Sequence, residues 1–159
     1  MSFRITGLSP RPFRHLFGLP DEELAKHRAK RYVADKKPGY PDRIELRDAE
    51  PGETVLLVNH VHQPADNPYR ASHAIFVREG AAAAYDRMDE IPEAMRVRHI
   101  SLRAFDAADL MVDAGLADGR EIEPVIERLF ADARVAYIQA HYAKRGCYAA
   151  RIDRAETKV

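Results

Sequence analysis

The sequence predicts an α+β fold, a single domain over residues 1–159 with a mostly antiparallel sheet built from hairpins and flanked by two or three short helices. Three observations point there. Apolar and polar residues alternate over several short stretches, as in half-buried strands. Turn sequences such as KKPGYP at Lys36–Pro41 and DAEPGE at Asp48–Glu53 interrupt the chain too often for long helices. Helical periodicity is clear only at Glu121–Phe130, where Ile122, Val125, Ile126, Leu129 and Phe130 recur at i, i+3, i+4, i+7 and i+8.

Taken in order, Phe13, Leu16 and Phe17 follow two prolines and predict a helical turn or two within Met1–Gly18. Pro20–Arg28 reads as a short helix, with Asp21, Glu22 and Glu23 in its first turn and Lys26, His27 and Arg28 in its last. Tyr32–Ala34 reads as a short strand, and Arg43–Arg47 as a half-buried one in which Ile44 and Leu46 alternate with charges. Thr54–His62 is apolar on both parities at Val55–Val58, which predicts a central strand covered on both faces. Ala74–Arg78 is the next strand, and Gly80–Arg98 is irregular, with a helical turn at Pro92–Arg96. Ile100, Leu102 and Ala104 pair with Leu110–Val112 in a hairpin around Asp106–Asp109. In the Glu121–Phe130 helix, Pro124 falls in the first turn, where its missing N–H costs little. Val135–Tyr142 and Cys147–Ile152 form a last hairpin.

The chain has 159 residues, enough to hide roughly 70% of its unfolded surface. Its 25 basic and 25 acidic residues balance, which argues against a duplex nucleic-acid binder. The basic run at Lys26–Lys37 reads as a solvated helix end and loop. One cysteine, Cys147, offers no internal disulfide, and Met1–Leu19 lacks a leader pattern, so a cytoplasmic protein is expected. No apolar run approaches the ~20 residues needed to cross a bilayer.

Chemistry concentrates in VNHVHQPADNPYRASH, Val58–His73. Strand alternation puts His60 and His62 on one face, ~7 Å apart along the strand. That spacing suits two ligands of one metal, with His73, Asp66 or His141 completing the set. The competing reading is two hydrogen-bonded histidines ending a strand. After the Asp66-Asn67-Pro68 turn, Arg70 suits bidentate capture of an anionic group, with Gln63, Tyr69 and Ser72 as ligand-binding neighbours. In the last hairpin, Gly146 suits the left-handed position of a Lys144-Arg145-Gly146 loop. That register opposes Ala143 to Cys147 and puts His141 beside Cys147 on one face, where it could activate the thiol as a nucleophile. A two- or four-residue loop would separate them.

The segments MSFRITGL, KPGYP, DAEPGE, HQPADNPYRAS, IFVREGA and RVAYIQAHYAKRGCYAARID resemble, in this order, an uncharacterised bacterial family known as domain of unknown function 1203. The resemblance implies a single cytosolic domain and brings no assigned activity. It places His62, Gln63, Pro64, Pro68, Tyr69, Arg70, His141, Gly146 and Cys147 in recurring motifs, but not His60 or His73. It therefore favours His62, Arg70 and His141 over a His60/His62 metal pair. The family pattern often has Cys where this chain has Asp42, which argues against a function needing two cysteines.

The leading expectation is a small-molecule site, suited to anions, between the 62–73 loop and the 141–147 hairpin. In it Arg70 anchors the ligand while His62 and His141 serve as acid/base or hydrogen-bonding groups. The alternatives are a metal site built on His60 and His62 with His141 or His73, and a non-catalytic interaction or dimerisation domain. Binding and turnover are equally open, as are cofactor and oligomeric state.

Overall fold

The computed structural model describes residues 1–155. Among the described residues, nine strands and three short α-helices alternate with two 3-10 segments at Arg11–Leu16 and Gly119–Glu121. The strands are β1 (Ser2–Thr6), β2 (Lys30–Val33), β3 (Thr54–Gln63), β4 (Ala71–Arg78), β5 (Asp86–Met88), β6 (His99–Phe105), β7 (Met111–Asp118), β8 (Tyr137–Tyr142) and β9 (Tyr148–Ala155). The helices are α1 (Asp21–Lys26), α2 (Glu93–Arg96) and α3 (Glu123–Phe130). All strand pairing is antiparallel, in a six-stranded sheet ordered β5-β1-β9-β8-β6-β7 and a three-stranded sheet ordered β2-β3-β4.

The larger sheet buries one face against the helices. Ile100, Leu102 and Ala104 of β6, Ile138 and Ala140 of β8 and Ile152 of β9 pack with Ile126, Leu129 and Phe130 of α3 and Met95 of α2. Pro124 lies in the first turn of α3, as expected. The other parity of β8, Tyr137, Gln139 and His141, is also buried. These side chains turn to the smaller sheet, where Gln139 bonds His62 and Tyr137 bonds Gln63. A second core lies under the smaller sheet: Leu56 and Val58 of β3, with Ile75 and Val77 of β4, meet Phe13, Leu16 and Leu24. Tyr148 of β9 belongs to that second core, so the larger sheet reaches into it.

Two readings change. Arg43–Arg47 is a buried turn, not a half-buried strand. Ile44 enters the second core and Leu46 the first, so the apolar alternation reflects two cores and not one sheet face. Leu46 has φ +54°, outside strand geometry. The Asp42 carboxylate holds this turn by accepting the N–H groups of Ile44, Glu45 and Arg78, at 3.2, 2.7 and 2.8 Å. The second change is in the last hairpin. Gly146 has the left-handed φ of +79°. However, a bulge between Ala140 and His141 sets His141 opposite Tyr148, not beside Cys147.

Gly119 follows β7 where the chain crosses α2. A Cβ there would stand 1.8 Å from the Met95 carbonyl oxygen, a backbone atom that cannot swing away. Gly119→Ala is expected to lower stability by ~2–3 kcal/mol, the range for forced overpacking. Urea denaturation of the variant beside the native chain measures this.

Candidate metal and ligand site

Three histidines meet between the sheets: His62 at the end of β3, His73 near the start of β4 and His141 on β8. The β3–β4 register pairs His60 with His73, which makes His62 the diagonal neighbour of His73, and a bulge follows between Val61 and Gln63. His62 and His73 stack, with ring centroids 4.7 Å apart and planes 4° from parallel. Tyr148 stacks on His62 at 5.3 Å and 9°. His141 stands edge-on to both histidines, at 4.9 Å from His62 and 5.4 Å from His73. One ring nitrogen from each histidine lies within 4.8 Å of the other two.

Their hydrogen bonds fix two tautomers. His141 Nδ1 faces the Gly146 carbonyl oxygen at 3.0 Å, an atom that can only accept, so Nδ1 carries the proton. His62 Nδ1 faces Gln139 Oε1 at 2.8 Å. The Gln139 orientation is set by its own amide, which donates to the His62 backbone carbonyl at 3.0 Å. His62 Nδ1 is therefore also the donor. In both rings Nε2 is left as a bare lone pair. His62 Nε2, His141 Nε2 and His73 Nδ1 are buried and have no hydrogen-bond partner among the described residues.

The cluster is neutral at pH 7. Burial lowers His141 to about 3, with the Arg103 charge acting in the same direction. Burial lowers His62 to about 4, against the opposing Gln139 hydrogen bond. His73 is lowered by burial, then by Arg103 and Arg43. Metal coordination needs neutral imidazole, so all three are in the required state.

A cavity of about 840 Å³ opens beside the cluster. His73 and Ala74 form part of one wall, and Tyr142, Lys144, Arg145 and Cys147 form part of another. The Cys147 sulfur accepts from Arg43 Nη2 at 3.0 Å. Arg43 is 1% exposed, and its other guanidinium bonds go to the carbonyls of Tyr148 and Pro41.

The family model described as "Protein of unknown function (DUF1203)" matches residues 39–154. The chain belongs to this family. Among curated proteins and solved structures, nothing matches. The matched DUF1203 span holds all three clustered histidines and the cavity lining apart from Tyr32, Lys36 and Pro38.

Within this DUF1203 chain the residues singled out by sequence divide. His62 and His141 come together, and His73, considered as a completing ligand, joins them. His60 lies outside the cluster, with its ring against Phe13 and Tyr148. Gln63 is a buried tie whose amide donates to the Tyr137 hydroxyl at 2.9 Å, while that hydroxyl donates to Asp109 at 2.6 Å. Tyr69 packs edge-on against Phe105. Arg70 is exposed and donates to the Pro64 carbonyl, and Ser72 is exposed on β4. None of these four lines the cavity. Cys147 does line it, but with Arg43 as its partner rather than His141.

Residues that the sequence reading passed over are Gln139, Tyr148 and Arg103. Arg103 is half-buried near the histidines and forms no ion pair among the described residues, with only Ser101 Oγ at 3.4 Å. Its place opposite Ile100 and Leu102 in the alternation suggests a solvent face. That face is the one the smaller sheet covers.

Proposed function

We propose that the protein binds one divalent transition-metal ion on His62, His73 and His141, and that the adjoining cavity holds a small molecule on which the metal acts. The observation that carries this reading is the pair of bare, buried Nε2 atoms on His62 and His141. Burying such an acceptor without a donor costs roughly 1–3 kcal/mol each. A metal ion satisfies both at once. The outer bonds match what ligating histidines need, since the second ring nitrogen donates to a carbonyl or amide oxygen that fixes the tautomer. Coordination requires the parallel His62 and His73 rings to tilt out of their stack, because each lone pair lies in its ring plane. His73 Nδ1 carries no hydrogen bond that opposes such a tilt.

Three neutral imidazoles suit Zn²⁺, with Fe²⁺, Ni²⁺ and Cu²⁺ as chemical relatives, and leave a coordination position for water or a ligand. Such an ion supplies Lewis acidity or an ionised water. The protein residues set the tautomers through Gln139 and Gly146 and keep the rings neutral through burial. Elemental analysis of protein purified without chelators tests the reading. The expected result is close to one equivalent of a transition metal per chain. A metal content near zero that stays near zero after incubation with Zn²⁺ would overturn it.

A further inference from the structure

The cavity beside the histidines carries a charge pattern of its own. Lys36, Lys144 and Arg145 line it, and none of the three forms an ion pair among the described residues. No aspartate or glutamate is found among the lining residues described. Arg43, fully buried in its wall, has no carboxylate partner among the described residues. Arg98 differs, because Asp48 neutralises it through a two-pronged bond at 2.6 and 2.8 Å.

Tyr142 gives an independent sign of a missing partner. Its side chain lines the cavity and is only 4% exposed, yet its hydroxyl has no hydrogen-bond partner among the described residues. The Arg43 and Arg98 guanidinium carbons lie 4.9 and 5.1 Å from its ring centroid. The buried hydroxyl is an unused donor that wants an acceptor. An anionic oxygen is the acceptor that Arg43, which has no carboxylate partner among the described residues, favours. The apolar part of the lining includes Leu57 and Val97 and an aromatic group in which Tyr40 and Tyr32 both pack against Phe76, at 5.3 and 5.7 Å. Such a wall suits a flat, apolar body.

We infer that the cavity's ligand is an organic carboxylate with a flat unsaturated or aromatic body. Its anionic oxygen accepts from Tyr142 near Arg43, and Lys144 and Arg145 draw it in at the rim. This deepens the proposed metal-assisted site, on which it rests for the ligand's contact with the metal. A metal held by three neutral histidines keeps its full positive charge, which adds to the attraction for an anion.

The test uses cinnamate and cinnamamide, which share one shape and differ in charge. Binding to the full chain is followed by calorimetry or NMR shift perturbation. The expected result is cinnamate at least tenfold tighter than cinnamamide, with Y142F and the double variant K144A/R145A each weakening cinnamate severalfold. Zinc content, read on the same samples, is expected to be unchanged in both variants. Equal binding of acid and amide, no detectable cinnamate binding, or variants that bind cinnamate like the native chain would overturn the inference. Inorganic phosphate binding as tightly as cinnamate would overturn the flat organic body. Cinnamate selectivity without zinc uptake would leave the carboxylate cavity standing and remove the metal, so the two readings fail separately.

Discussion

His141→Ala is expected to weaken Zn²⁺ binding by more than about 100-fold, because loss of outer-shell partners alone costs 10–100-fold in other histidine sites. His62→Ala and His73→Ala are expected to act alike, since each removes one of three converging nitrogens. Gln139→Leu tests the outer bond. It leaves all three rings in place but frees the His62 tautomer and orientation. A loss of roughly 10–100-fold is expected there. His60→Gln is the control. Its ring packs on Phe13 and Tyr148 outside the cluster, so zinc affinity is expected to stay within a few-fold. Competition with a chromogenic chelator ranks the five proteins. A ranking in which His60→Gln loses metal and His141→Ala keeps it would contradict the assignment.

Chelator-treated protein is expected to lose stability steeply between pH 6.5 and about 4.5. His62 and His141 are lowered from 6.5 to about 4 and about 3 in the folded chain. Across that interval the unfolded chain takes up protons on both residues that the folded chain refuses. Stability therefore falls as pH falls, by ~1.4 kcal/mol per pH unit for each fully titrating histidine. Their contribution is complete above pH 6.5 and is lost toward the folded values. A carboxylate held by an arginine enters lower. The Arg47 hydrogen bond holds Glu53 at about 2, so its contribution declines only once the pH drops below its ordinary 4.5. Above 4.5 the histidines are opposed by Asp42, whose carboxyl is raised above its ordinary value by burial, and their fall is the larger because two of them titrate there. Urea denaturation at pH 7, 6 and 5 is expected to give falling midpoints for the native chain and a flatter trend for His141→Leu. Bound zinc is expected to hold the native midpoint up at pH 6, because the ion competes with the proton for the same lone pairs. A native midpoint that does not change from pH 7 to 5 would contradict the buried, neutral cluster.

Much of the fold is legible in the sequence because its elements have clean periods. Thr54–Gln63, the two later hairpins and the helix ending at Phe130 all carry them. β1 and β5 are not legible. β5 is three exposed residues, Asp86–Met88, and is a strand only because β1 pairs with it. Ile44 and Leu46 mimic a strand because two cores, not one, take their side chains. The site is legible as a set of residues but not as a geometry. His62, His73 and His141 are all visible in the chain, yet their convergence depends on cross-strand pairing and on a bulge in β3 after Val61, which local patterning does not carry. The facing of His141 depends on a second bulge, in the β8–β9 pair. Each bulge shifts the pairing by one residue, the smallest step that changes which side chains meet. The sequence points to Arg70 as the anion anchor, but Arg70 is exposed away from the cavity, and the cations that line the cavity come from distant turns, Lys36 before β3 and Lys144–Arg145 after β8.

Cobalt titration tests the three-histidine centre most directly, since Co²⁺ takes zinc sites and reports coordination through its visible absorption. The native chain and His60→Gln are expected to develop the absorption of a low-coordinate nitrogen site, breaking at one equivalent, and His141→Ala is expected to show none. A native chain with no saturable visible spectrum, or a spectrum undiminished in His141→Ala, would contradict the account.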